Sequence, residues 1–316
     1  MDIKIELERL LAEDLGKGDI TSQAVFSDER IKARIVPREE CILAGIEEAS
    51  ILFGMGDCVV EGEIADGQRI SPGGIVMNIS GLATEVLSRE RLALNIISCM
   101  SGVATTTARM VKRARSVNPD VLVAATRKTT PGFRFFEKKA VFLGGGWPHR
   151  YRLDHSYMIK DNHLQAAGSV KEAISRSKRA RKERFGTSKP TDGVQGNVKS
   201  NPLRNPLLEE IPQLVNLYRN ELFDPAGIIE VEADTMEGAV AAAKEGAEIV
   251  LLDNMDPELA KKSARAVKDV NPNVLIEISG GISEQNLILY APFADIISSS
   301  ALTQGQRADF SLEVMD

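Results

Sequence analysis

The stretch TRKTTPGFRFFEKKAVFLGGGWPHR, residues 126–150, sets Arg127, Lys128, Arg134, Lys138, Lys139, His149 and Arg150 against a single acid, Glu137. A guanidinium is a planar fork that grips a carboxylate or phosphate with two hydrogen bonds, and an ammonium is a compact point charge. The whole chain carries a formal net charge of -6. A basic cluster on that background is either a solvated surface or a place that meets an anion.

Other chemical groups recur further on at the ends of short apolar runs. VLVAATRKT ends in Arg127 and Lys128, YMIKDN in Lys160, IIEVEA in Glu232 and EIVLLDN in Asp253. VLIEISGG ends in Ser279, Gly280 and Gly281, and ADIISSSAL ends in Ser298, Ser299 and Ser300. Arg127, Lys128, His149, Arg150 and Lys160 suit a ligand with several anionic groups. Glu232 and Asp253 would repel a phosphate unless a divalent cation or ribose hydroxyls lay between, and Mg²⁺ commonly joins a carboxylate to substrate phosphates. The SGG and SSSA ends offer backbone N–H groups and hydroxyls to a terminal phosphate. The set therefore calls for a phosphorylated sugar with Mg²⁺ and a carboxylated partner. Any one of these polar ends, taken alone, is no more than the start of a loop.

The elements that must position these groups follow from the rhythm of the chain. After about residue 118, apolar runs alternate with helix-like text such as DTMEGAVAAAKEGA and DPELAKKSARAVKDVNP, the second with Asp256 as N-cap and Pro257 at the first helical position. Repeated strand–helix units build an α/β fold on a parallel sheet, and strands buried on both faces read as continuous apolar runs. In a β/α barrel the C-terminal ends of the strands form the mouth where chemistry sits. The first third instead mixes alternating runs with turns, in IKARIVPREECILAG, DCVVEGEIADGQRI and SPGGIVMNISG. TEVLSRERLALNIISCMSGVATTTARMVKRARS carries a long helical stripe, with Ser101-Gly102 a point of interruption. Residues 176–223 break the barrel rhythm. Their basic part reads as a solvated helix end entering a flexible loop, or else as a partner or nucleic-acid contact, and IPQLVNLYRNELF within them reads as a helix.

Composition narrows the class. With 316 residues and 43% hydrophobic content, the chain can bury a core in one large or two modest domains. Net negative charge argues against a general nucleic-acid binder. Three cysteines, Cys41, Cys58 and Cys99, form no CxxC pair and fit free thiols in a reducing, cytoplasmic setting. The start MDIKIELERLLAEDLG is charged throughout and shows no signal peptide, and no apolar run is long enough to span a bilayer. Three histidines and the scattered cysteines have no zinc-ligand spacing. Gly144 to Gly146 lack dinucleotide-fingerprint spacing and read as close packing or a turn. His163 reads as a helix cap, His155 as structural or exposed, and Trp147 as packing. Lys160 is alternatively a Schiff-base lysine.

The strings LAEDLGKGDITS, ERLALNIISCMSG, TRKTTPGFRFFEKKAV, GGGWPHR, IKDNH, EVEA, LLDN, SGGI and SSSALT, in this order, resemble quinolinate phosphoribosyltransferase, the decarboxylating nicotinate-nucleotide pyrophosphorylase family. The resemblance covers nearly the whole chain outside residues 176–223. It implies an α+β sandwich N-terminal domain over residues 1–113, open to completion by residues 307–316. A partly open β/α barrel over residues 114–306 would follow, with the insertion at about 176–223. It implies a cytoplasmic homodimer with a shared active site, higher assembly being left open. The reaction would join quinolinate to phosphoribosyl pyrophosphate with Mg²⁺, giving nicotinate mononucleotide, pyrophosphate and carbon dioxide in NAD synthesis. The resemblance makes Arg91 an arm reaching quinolinate in the neighbouring subunit, and places Thr126, Arg127, Lys128, His149, Arg150 and Lys160 around the substrate. Lys128, Lys160, Glu232 and Asp253 are the catalytic candidates, with Glu232 and Asp253 also holding the metal, directly or through water. Ser279, Gly280 and Gly281 with Ser299, Ser300 and Ala301 form the 5′-phosphate cradle. Pro148, Arg152 and Ser300 depart from the family's Asn, Gly and Gly. That leaves open a relative acting on nicotinate or another aromatic acid, or a non-catalytic binding protein on the same scaffold.

A shared site has a direct consequence. Arg91→Ala and Lys160→Ala should each be inactive as folded protein, and mixing them under subunit exchange should restore part of the activity, because one site per mixed dimer regains both residues. Mixed dimers that regain nothing would remove Arg91 from a neighbour's site.

Overall fold

The computed structural model describes residues 3–62, 64–185 and 227–315. The helices α1 (Ile3–Leu15) and α2 (Ile20–Val25) come first. Asp19 caps α2, accepting from the N–H groups of Thr21 and Ser22 at 3.1 and 3.0 Å. Then follow β1 (Arg30–Pro37), β2 (Cys41–Ile42), α3 (Ile46–Gly54), β3 (Val59–Glu61), β4 (Arg69–Ile70) and β5 (Met77–Leu82). In β5 every second residue is buried, as a strand with one covered face requires. The first sheet is antiparallel, in the order β12-β1-β5-β3, so the last strand β12 (Phe310–Met315) returns to pair with β1.

The helix α4 (Ala83–Arg115) is continuous over 33 residues. The expected break at Ser101-Gly102 is absent, and the two residues have a different use. The Ser101 hydroxyl accepts from the N–H of Ala44 and donates to its carbonyl, at 3.0 and 3.1 Å. A methyl at Gly102 would lie 2.1 Å from the carbonyl oxygen of Gln306. Small residues here let two backbone segments touch the helix.

The second sheet has the order β6-β11-β10-β9-β8-β7, and every neighbouring pair is parallel. Its strands are β6 (Leu122–Ala125), β7 (Tyr157–Ile159), β8 (Ile229–Ala233), β9 (Ile249–Asp253), β10 (Leu275–Ser279) and β11 (Ile296–Ser299). Each apolar run read from the sequence supplies one of them. Helices α5 (Arg134–Leu143), α6 (Asp161–Ala167), α7 (Val170–Phe185), α8 (Met236–Lys244) and α9 (Pro257–Val270) lie between the strands. Asp256 caps α9 through the N–H groups of Glu258 and Leu259, with Pro257 in the first turn. The edges β6 and β7 do not pair with each other among the described residues. This is a partly open β/α barrel beside a small N-terminal α+β unit. The basic text from Arg176 belongs to α7, where Arg176 pairs with Glu172 and Arg181 with Glu248. The rest of the expected insertion, including the helix expected in IPQLVNLYRNELF, lies outside the described residues.

A buried ionic cluster joins the two units. Lys139 on α5 meets Glu47 and Glu48 on α3 at 2.8 Å each, and Asp66 at 3.4 Å. Burial pushes the Glu48 and Asp66 carboxyls up, while the Lys139 ammonium opposes that shift. Lys139 itself is raised: burial works against its charge, but its carboxylate neighbours more than compensate. Removing one member of such a cluster leaves a desolvated charge, so the arrangement fixes a docking geometry more than it adds net stability.

Alanine is a better helix former than glycine by about 1 kcal/mol, yet Gly102→Ala should destabilise the fold. A backbone carbonyl at that distance cannot yield cheaply, and overpacking of this kind costs about 1–3 kcal/mol. Urea unfolding followed by circular dichroism will show it; an unchanged or higher midpoint would mean that residues 305–307 move away freely.

Candidate active site

The C-terminal ends of the parallel strands carry the chemistry-bearing residues, and the structure sets each in a definite environment. Beyond β6, the Thr126 hydroxyl accepts from the N–H of Lys128 at 3.1 Å and shapes the turn. Arg127 is half-buried and its Nε is buried with no hydrogen-bond partner. Lys128 is exposed, and its carbonyl accepts from the Thr303 hydroxyl at 3.0 Å, tying this turn to the segment after β11. On the adjoining segment, Trp147 continues the ladder: its N–H donates to Val123 and its carbonyl accepts from Ala125, at 2.8 and 2.9 Å.

His149 then turns the chain out with a φ of 55°. Both of its ring nitrogens are engaged. Nδ1 accepts from the N–H of Arg150 at 2.7 Å, and Nε2 faces Glu277 at 2.9 Å and Glu230 at 3.8 Å. The proton therefore sits on Nε2. Arg150 is buried; it donates to the Leu153 carbonyl at 3.1 Å, and its Nε has no partner. Burial and then the nearby Arg127 hold the Arg150 guanidinium below its ordinary range. Each guanidinium thus keeps one buried Nε with no hydrogen-bond partner among the described residues, and the two groups are close enough to repel. Buried donors of this kind are costly to leave unmade, and a carboxylate is the group that satisfies them.

Beneath them lies a buried frame. Burial opposes ionisation of Glu277, but His149 holds its carboxyl below the usual range. Glu230, buried beside Glu277, is pushed up to about 8, and one of its oxygens has no partner. His149, Glu230 and Glu277 could geometrically hold a metal ion. Both carboxyls already face cations of the chain, since Lys138 acts on Glu277 and Arg150 acts on Glu230. Lys138 is fully buried and donates to the carbonyls of Ala125 and Pro148. Burial, reinforced by Arg134 and Arg127, brings its ammonium down to about 7.

Across the sheet, Lys160 follows β7 directly and is paired with Glu232 of β8. The N–H of Lys160 donates to His163 Nδ1 at 3.0 Å, so His163 caps α6. Asp253 ends β9, and Asn254 at φ 53° donates its amide to the Asp253 carboxylate at 2.7 Å. Asn254 also donates its backbone N–H to the carbonyl of Ser279 at 3.0 Å. Gly280 and Gly281 follow with φ of 90° and 61°, and a methyl at Gly280 would lie 2.3 Å from the Asn254 side-chain oxygen. Glycine is required there by both the dihedral and the contact. Ser299 donates to the Ile282 carbonyl at 2.6 Å and accepts from the N–H of Ala301 at 3.1 Å, while Ser300 opens a short 3₁₀ turn. Of the positions that depart from the family pattern, Arg152 points outward to Asp154, and Pro148 presents its carbonyl to Lys138.

Arg91 stands apart. It is exposed on α4 and has no hydrogen bond or ion pair among the described residues. On the same helix Leu92, Asn95 and Cys99 line an open cleft of about 690 Å³, which Arg9, Phe133 and Arg307 also line.

Comparison with known proteins fits this arrangement. Residues 19–101 match the N-terminal domain of quinolinate phosphoribosyl transferase, and residues 103–186 and 204–313 match its C-terminal domain. The chain belongs to the quinolinate phosphoribosyl transferase family. It is 37% identical over 302 residues to a probable nicotinate-nucleotide pyrophosphorylase (carboxylating) of Archaeoglobus fulgidus, covering 94% of this chain and 98% of that one. It is 35% identical over 275 residues to the human nicotinate-nucleotide pyrophosphorylase (carboxylating), covering 86% and 78%. The solved nicotinate-nucleotide pyrophosphorylase of Francisella tularensis superposes with a TM-score of 0.79 at 29% identity, covering 99% and 96%.

Sequence reasoning did not single out Lys138, Glu230, Glu277, Asn254 and Thr303, which contact or adjoin the expected site residues. For Glu230 and Glu277 a signal existed: IEVEA and IEIS set a carboxylate inside an otherwise apolar buried strand, where only an inward-facing partner could pay for it. The others act through contacts between elements distant in sequence.

The Lys138 shift gives a pH test. Its folded value is below its unfolded value, so the unfolded chain holds the proton between about 7 and the ordinary lysine range. Stability of the wild type relative to Lys138→Met should therefore rise with pH across that window and level off below it. Chemical denaturation at a series of pH values reads this, and a flat difference would place the ammonium in contact with solvent.

Proposed function

We propose that this chain transfers the phosphoribosyl group of phosphoribosyl pyrophosphate to quinolinate with loss of carbon dioxide. The products are nicotinate mononucleotide and pyrophosphate, in a step of NAD synthesis. The observation that carries the reading is the pair of buried Nε donors of Arg127 and Arg150, neither with a hydrogen-bond partner among the described residues. A monocarboxylate would satisfy one of them; adjacent carboxylates on one aromatic ring satisfy both. Family membership and the names of the relatives support the same reaction.

In the chemistry proposed, the pyridine nitrogen attacks the anomeric carbon as the bond to pyrophosphate breaks. Positive charge builds on the ribose ring in the transition state, and a carboxylate fixed nearby stabilises it. Glu232 and Asp253 supply those carboxylates from the ends of neighbouring strands β8 and β9. Lys160, held against Glu232, offers its ammonium to an incoming anion. Asn254 keeps the Asp253 carboxylate turned to one side. Once ribosylated, the ring nitrogen is cationic, and its charge stabilises the electron pair left at the adjacent carbon as carbon dioxide departs; a solvent proton then bonds to that carbon through this pair. The protein's work is to hold and orient two anions that repel each other.

The donor set also fits Mg²⁺ brought in with pyrophosphate. Glu232 and Asp253 would offer it two carboxylate oxygens at the mouth, since Mg²⁺ takes one or two carboxylates with phosphates and waters completing its shell. When bound it would balance charge growing on pyrophosphate. A homodimer is supported by Arg91, an exposed cation with no hydrogen bond or ion pair among the described residues. No helix among the described residues is long and apolar enough to cross a membrane.

Purified protein with phosphoribosyl pyrophosphate and Mg²⁺ should release carbon dioxide and nicotinate mononucleotide in equal amounts from quinolinate, and nothing from nicotinate. Adding a chelator should abolish both products. Turnover with nicotinate alone would overturn the substrate, and silence with both acids would overturn catalysis.

A further inference from the structure

We propose that Lys138 is a positioning residue for the aromatic-acid pocket, acting as a staple that joins the turn carrying Arg127 to the turn carrying Arg150. This rests on the proposed reading of those arginines as the quinolinate site.

The argument starts from the ladder beside β6. The Trp147 N–H donates to the Val123 carbonyl, and the Ala125 N–H donates to the Trp147 carbonyl. In a parallel ladder the next bond would run from the N–H of residue 149 to the Ala125 carbonyl. His149 adopts a φ of 55° instead, and the chain swings out of the ladder. The Ala125 carbonyl would be left unmade in a buried place. Lys138 fills that role: its Nζ donates to Ala125 at 3.1 Å and also to the Pro148 carbonyl. One nitrogen thus takes the place of a missing backbone donor and clamps both strands of the fork.

What hangs from the fork is the proposed pocket. Arg127 lies two residues beyond Ala125, and Arg150 two residues beyond Pro148. The Arg150 turn is pinned from the far side by the bond between His149 and Glu277 and by the bond from Arg150 to Leu153. Lys138 is the tie between the Arg150 turn and the Arg127 turn. It is fully buried, so it cannot meet the substrate itself. The groups around it are Arg134 and Glu137 on its own helix, Arg127 beyond β6 and Glu277 on β10.

Two variants test this by steady-state kinetics, each with its fold checked by thermal melting. Lys138→Met keeps the chain length and removes both donors. It should raise the KM for quinolinate by about tenfold or more, as sub-ångström loosening of a binding geometry does, while the KM for phosphoribosyl pyrophosphate stays within about twofold. Lys138→Gln keeps N–H donors on a shorter arm and should show the same one-sided shift at a smaller size. For whichever variant folds, equal movement of both constants, or movement of neither, overturns the proposal. A wild type that turns over no quinolinate would instead overturn the functional reading beneath it, so the two failures are distinguishable.

Discussion

Two guanidinium groups held near one another repel, and neither Arg127 nor Arg150 has a partner for its buried Nε. The fold around them must hold this electrostatically unfavourable arrangement in place. It does so with groups that never reach the mouth. Lys138 holds the backbone beneath both arginines, Glu277 holds His149, and His149 holds the N–H of Arg150. The cost of the unpaired cations is offset by contacts elsewhere, and the resulting surplus of donors is what an anion can bind.

The basic stretch in an acidic chain therefore divides into separate tasks. Arg127 and Arg150 each keep a buried Nε with no partner among the described residues, and Lys128 is exposed. Arg134 holds loops, donating to the Thr129 hydroxyl at 3.0 Å and to the Tyr151 carbonyl at 3.2 Å. Lys138 and Lys139 are buried on adjacent positions of α5 and serve opposite ends of the architecture. One organises the barrel mouth, and the other docks the barrel against the N-terminal unit through Glu47, Glu48 and Asp66. A single helix thereby couples the placement of the candidate pocket to the packing of the two units.

The glycines GGG show the same economy of space. Methyl groups at Gly144 and Gly146 would lie 2.4 Å from the Ala104 carbonyl and 2.6 Å from the Thr107 side chain. Close approach to α4 brings the chain back alongside β6 in time for Trp147 to pair with it. The long helix is thus the surface on which the mouth is assembled, and its own small residues at Ser101 and Gly102 receive the Ala44 loop and the segment before β12.

By itself the sequence determined the strands, because apolar runs flanked by polar ends have few other ways to bury both faces, and it determined which residues lie at their C-terminal ends. Arg127, Lys160, Glu232, Asp253 and Gly280 were legible for that reason: their positions follow from local pattern. Tertiary structure alone decided what each neighbour does. Lys138 and Lys139 look alike in the sequence and are parted only by which face of α5 they occupy. His149 looked like a ligand contact and has both ring nitrogens engaged within the chain. Ser101-Gly102 looked like a break and is a contact. Such roles depend on partners many residues away, brought near by packing, and no local spacing encodes them.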